Sequence, residues 1–189
     1  MTNAWLFVLA VLAVLGAPGP TNTLLASGAA VAGLRRSLPL LAASLAGYLI
    51  ATSIVGFLLR PVIVAYPVIG AALKIAVALY LVYAAFRLWR RADHAAASRE
   101  AVGWSTVFVA TLLNPKCLIF ALAIIPFGSP SVLAYLIGFA VMVPVTGFLW
   151  LLAGHFVGAA AGEKRHFVPR IASVVLVGFA GLIAASAFG

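Results

Sequence analysis

The chain has little charge, very few acids and a single cysteine. Of 189 residues, 12 are Lys or Arg and 3 are Asp or Glu. A soluble domain of this length needs a charged surface, and this complement cannot supply one. The acids Asp93, Glu100 and Glu163 all fall between apolar runs. No carboxylate is therefore available inside a run as a catalytic acid or base or as a ligand for a divalent metal. Cys117 stands alone, which excludes an internal disulfide and a CxxC redox pair. The only other metal-binding type inside a run is His155, far from Cys117 in sequence. These absences argue against an enzyme, a resident metal and a cofactor. The net charge of +9 does not point to nucleic acid either, because the cations sit in short gaps between apolar runs instead of forming one patch.

What is present is apolar: 66% of the residues are hydrophobic, and mean hydropathy is +1.23. A bilayer core is about 30 Å thick, so a spanning helix takes roughly 20 apolar residues. That leaves room for about six spans and no appended soluble domain. The expected class is an all-α membrane protein, with one multi-pass transmembrane domain over residues 1–189. The first apolar run has no Lys or Arg before it and lacks an A-x-A cleavage site, so it reads as a retained helix and not a signal peptide.

Six spans follow from the runs: residues 3–32, 38–59, 68–88, 104–126, 132–157 and 171–188, with a polar loop at 89–103. The first run would be roughly 43 Å long as a straight helix. Ala17-Pro18-Gly19-Pro20 near its middle resolves the mismatch, since proline removes a donor and clashes with the preceding turn. Asn114-Pro115 interrupts the fourth run in the same way. The loops alternate in charge. Arg35 and Arg36 follow the first span, Arg87, Arg90, Arg91 and Arg99 the third, and Lys164, Arg165 and Arg170 the fifth; the other side has Arg60 alone. Nine cations against one is a positive-inside signal. It puts the basic loops in the cytoplasm and both termini outside a bacterial inner membrane.

The two halves echo each other. Pro18 and Pro115 are 97 residues apart, as are Gly47 and Pro144. The expectation is two three-helix repeats, at about 1–88 and 104–189, joined by the cytoplasmic loop. Three helices per half gives the repeats opposite orientations. Paired broken helices in inverted repeats point to a transporter site near the midplane.

Broken helices survive in lipid only where protein or a wet cavity covers the freed backbone groups. The substrate-binding candidates are therefore Pro18, Gly19, Pro20, Thr21 and Asn22 at the first break, and Asn114, Pro115 and Lys116 at the second. A half-helix N-terminus suits a carboxylate. The polar side chains there, including Thr23, can add contacts or recap the backbone, and a packing kink with local caps is the plainer reading. Lys116 lies about 18 Å into its span, where a cation costs about 3 kcal/mol; it needs a bound carboxylate, water or the carbonyls of the broken helices. Lys74 is nearer a span end and can also snorkel outward. His155 is the proton-coupling candidate because histidine titrates near neutral pH, and a hydrogen-bonded interfacial histidine is the alternative. Ser44, Tyr48, Thr52 and Gly56 share one face of the second helix, as packing residues or as a pathway lining that includes Tyr48.

These residues resemble the LysE/RhtB family of amino-acid exporters over nearly the whole chain. Ala17-Pro18-Gly19-Pro20 with Asn22 is similar to the family's N-terminal region. Gly33-Leu34-Arg35-Arg36-Ser37-Leu38-Pro39 is similar to its first cytoplasmic loop, and Leu73-Lys74 with Ala78-Leu79-Tyr80-Leu81 to the start of its third helix. Asn114-Pro115-Lys116 with Phe120 resembles its fourth-helix signature. Trp150-Leu151-Leu152-Ala153-Gly154-His155 is similar to the branch that exports cysteine and O-acetylserine. The resemblance implies six helices in two inverted halves and efflux of amino acids or their derivatives, often against proton flow. Many members carry an acid after a glycine in the second helix, whereas here Gly47 is followed by Tyr48. That argues against proton coupling through a carboxylate and against basic substrates. A neutral or zwitterionic amino acid fits better, moved by alternating access.

The competing reading is an exporter of metal or other inorganic ions with related architecture. The lipid bilayer and a small amino-acid substrate are the partners expected. Gly178, Gly181 and Ala185 on the last helix can pack within the protomer or across a homodimer.

Overall fold

Uninterrupted apolar runs become long helices here, and the two runs cut by proline become bent ones. A computed structural model describes residues 4–98, 102–161 and 167–185. The expectations for Arg99, Lys164 and Arg165 lie outside the described residues. All regular structure in the described residues is helical. Helix α1 (Ala4–Gly16) and α2 (Pro20–Ala32) form the first bent pair, with 58° between them. Helix α3 (Leu34–Ser37) leads into α4 (Pro39–Ser53), a π-helical turn (Ile54–Leu59) and α5 (Arg60–Ala65). Helix α6 covers Pro67–Ser98. Helix α7 (Trp104–Leu112) and α8 (Lys116–Ile119), the latter extended by a π-helical turn at Phe120–Ile124, form the second bent pair, at 46°. Helices α9 (Val132–Ala161) and α10 (Phe167–Ala185) complete the described helices. Among the described residues, four helical stretches are long and apolar enough to cross a membrane, and up to six if each bent pair is one span. This is a membrane protein.

The two largest boundary differences from the sequence expectation have local causes. The stretch read as a polar loop from residue 89 is helical through Ser98. It holds Ala92, Ala95, Ala96 and Ala97 and neither Gly nor Pro, so helix propensity carries α6 beyond its apolar end. The second span also runs past Leu59, since the π-helical turn absorbs the irregularity without ending the helix. Pro144 lies inside α9 and does not break it.

Lipid tails are as apolar as leucine, so membrane helices associate through close packing more than through hydrophobic burial. The main pairs are α6 with α10, α2 with α9, and α4 with α7. Small residues carry the second pair. Gly154 and Gly158, one turn apart on α9, lie against the backbones of Ala26 and Ala30 on α2, where an added Cβ would strike main-chain atoms. Gly154→Ala is therefore expected to cost about 2–3 kcal/mol, the upper part of the range for an overpacked core. Gly178→Ala, with open space around it, should be neutral. Unfolding of both variants in mixed micelles checks this, and equal stability would refute the close approach.

Candidate functional site

The first break begins where α1 runs into Ala17 and Pro18. Pro20 takes the first position of α2, where its missing N–H is not needed. A helix end leaves carbonyls without partners, and Asn22 takes two of them: its Nδ2 donates to Leu15 O at 2.7 Å and to Ala17 O at 2.9 Å. Both hydrogens of its amide are thus committed to the break itself.

The second break caps itself locally. Asn114 Oδ1 accepts the Lys116 N–H at 3.0 Å, and the Asn114 carbonyl accepts from Cys117 N at 2.9 Å. Pro115, which has no N–H to give, turns the chain between them. The N-terminus of α8 is therefore already occupied by Asn114, contrary to the expectation of free donors at both half-helices. At α2 the first N–H groups that the helix leaves over are those of Thr21 and Asn22.

The two breaks meet. Asn114 Nδ2 donates to Thr21 Oγ1 at 2.9 Å and to the Tyr48 hydroxyl at 3.1 Å. Thr21 Oγ1 lies 3.0 Å from Thr111 Oγ1, and Thr111 Oγ1 donates to Val107 O at 2.7 Å. Thr111 has one hydroxyl hydrogen, so Thr21 must donate to Thr111. The result is a directed chain from Asn114 through Thr21 and Thr111 to Val107. Lys116 closes the crossing from the other side, its Nζ donating to Ala17 O at 2.5 Å. Lys116 is 7% exposed. Its side chain lies across Gly19, where a Cβ would come within 2.9 Å of Lys116 Cε. That close approach is why glycine stands at 19. The neighbour of the Lys116 ammonium is the Ala17 carbonyl, freed where α1 ends.

Thr21, Asn22, Asn114, Lys116 and Tyr48 thus come together around Pro18, Gly19, Pro20 and Pro115. Lys74 is half-buried on α6, one turn before Val77. Val77 lines a cavity of about 160 Å³ whose wall also includes Ala51, Val55, Asn114, Pro115 and Cys117. His155 is elsewhere: it borders a separate cavity of about 210 Å³ with Ala29 to Gly33, at the far end of α2 from the break. The face bearing Ser44, Tyr48, Thr52 and Gly56 is buried. It packs in part: Ser44 Oγ bonds back to Leu41 O, and Gly56 lies against the Phe127 ring. The proton-coupling and pathway roles stay as expectations.

Thr111 is the residue that sequence reasoning missed. Its signal was a hydroxyl in the otherwise apolar stretch 107–113, one turn before Asn114. Among the described residues, no group of three His, Cys, Asp or Glu side chains can hold a metal ion. No family model matches the chain, and no curated protein or solved structure matches it.

Proposed function

We propose that the protein exports neutral or zwitterionic amino acids, or small derivatives of them, across the bacterial inner membrane by alternating access. The observation that carries this reading is the crossing of two broken helices at a buried lysine whose partner is a freed carbonyl. The bond between Lys116 Nζ and Ala17 O is one that a zwitterion can replace. A carboxylate takes the ammonium more strongly than a neutral carbonyl does, with the spare N–H groups at the start of α2 beside it. The released Ala17 carbonyl then accepts from the substrate's own ammonium. One internal bond is exchanged for a two-point grip, which supplies the differential affinity that a ligand-driven conformational change requires. The 160 Å³ cavity beside Asn114 is lined almost wholly by apolar side chains, and it suits an uncharged side chain.

The helix pairing supports an inverted-repeat origin. In span order, the pairs are first with fifth, second with fourth, and third with sixth. Exchanging the halves turns the first of these pairs into the second and leaves the third unchanged, as a pseudo-two-fold axis in the membrane plane requires. The resemblance to LysE/RhtB exporters points the same way, and the excess of cations in alternate loops favours an orientation with both termini outside.

Purified protein in liposomes loaded with labelled amino acids tests the reading. Efflux of at least one neutral amino acid above protein-free liposomes is expected, and a pH gradient shows whether protons drive it. No loss of any amino acid, with activity following a metal ion instead, would favour the ion-exporter reading.

A further inference from the structure

A groove runs along the outer face of the α6–α10 pair. Its floor is Ala85 and Ser173, 1% and 2% exposed. Its walls are the larger Val82, Phe86 and Trp89 of α6 and Val174 and Val177 of α10, all exposed. Small residues under tall walls leave a trough of about 370 Å³ that is almost entirely apolar. Two guanidinium groups stand on those walls. The Arg90 guanidinium lies 5.7 Å from the Phe86 ring centre, and that of Arg170 lies 5.7 Å from Trp89 and 5.6 Å from Phe167. Ring stacking holds each cation in place.

We propose that this groove is a binding site for one anionic phospholipid, with an acyl chain in the trough and the phosphate on Arg90 and Arg170. Charge and geometry select this occupant. An apolar channel with guanidiniums stacked on Phe86 and Trp89 of its wall matches an amphipath with a single anionic head, and arginine's planar fork takes phosphate oxygens bidentately. Basic pockets between transmembrane helices hold anionic headgroups for the same reason. A second copy of the chain fits poorly, because a symmetric contact over these walls would bring the cations on Phe86 and Trp89 against their own copies. The site is separate from the crossing of the broken helices and does not depend on what that crossing binds.

The test is native mass spectrometry of the protein released from nanodiscs that mix phosphatidylglycerol and phosphatidylcholine with identical tails. Preferential retention of one phosphatidylglycerol is expected. Arg90→Gln and Arg170→Gln should each lower that preference about five-fold, while Arg35→Gln with Arg36→Gln leaves it unchanged. Val174→Ala with Val177→Ala, both at the lipid-facing surface, should weaken retention of both lipids by lowering one wall. Equal retention of the two lipids by the wild type would overturn the proposal. So would an unaltered preference in Arg90→Gln, which alters an exposed side chain and leaves the fold intact, or a disulfide-linked dimer of a Val174→Cys variant.

Discussion

Lys116→Ala is expected to abolish efflux from reconstituted liposomes while the protein still inserts and folds. Two opposing effects keep the fold. The substitution removes a hydrogen bond from a charged donor, worth about 1.5–3 kcal/mol. It also removes a cation from the membrane interior, where one costs about 3 kcal/mol on insertion scales. Ala17 O is not orphaned, because Asn22 Nδ2 still donates to it. Net stability should therefore change little, and the loss should appear in transport. Folded yield and unfolding in mixed micelles, measured beside efflux, separate the two effects. If the lysine only ties the first break in place, the variant will unfold early; if it grips substrate, the variant will be stable and silent. Efflux at the wild-type rate would remove Lys116 from the site.

Asn114→Ala should act in the opposite way, mainly on stability. The Asn114 side chain caps its own break and also reaches across to the other. Alanine leaves the Lys116 N–H without a partner inside the protein. It also removes a donor from the hydroxyls of Thr21 and Tyr48. A buried orphan costs about 1–3 kcal/mol and each lost neutral bond about 1 kcal/mol, so the sum is on the order of 3–5 kcal/mol. Unfolding in mixed micelles should occur at clearly lower denaturant than for the wild type. A variant as stable as the wild type would mean that the Asn114–Thr21–Thr111 chain does not clamp the two breaks together.

Much of the architecture is legible residue by residue, because each signal acts over about one helical turn. Pro18, Pro20 and Pro115 mark their breaks by a missing donor and a steric clash, and the helices stop there. The reading of residues 89–98 as part of a loop failed for a local reason as well. It weighed polarity, whereas an alanine-rich stretch without Gly or Pro stays helical to Ser98. His155 was harder to place. Its position near a span end was evident, but its distance from the breaks depends on which end of α2 faces α9. Thr111 became significant only when its hydroxyl was seen to complete a chain that begins 93 residues from Thr21, at Asn114.

The sequence by itself determined that this chain lies in a membrane, where its helices run and where two of them break. Those properties follow from apolar length and from backbone groups that must find partners without water, conditions that each segment meets or fails on its own. Tertiary structure alone decided which groups satisfy the breaks. Thr21 is joined to Thr111 across 90 residues and Lys116 to Ala17 across 99. Partners that far apart are chosen by which helices pack, and the packing depends on close approaches such as Gly154 on Ala26 and Gly19 on Lys116, which no local pattern encodes.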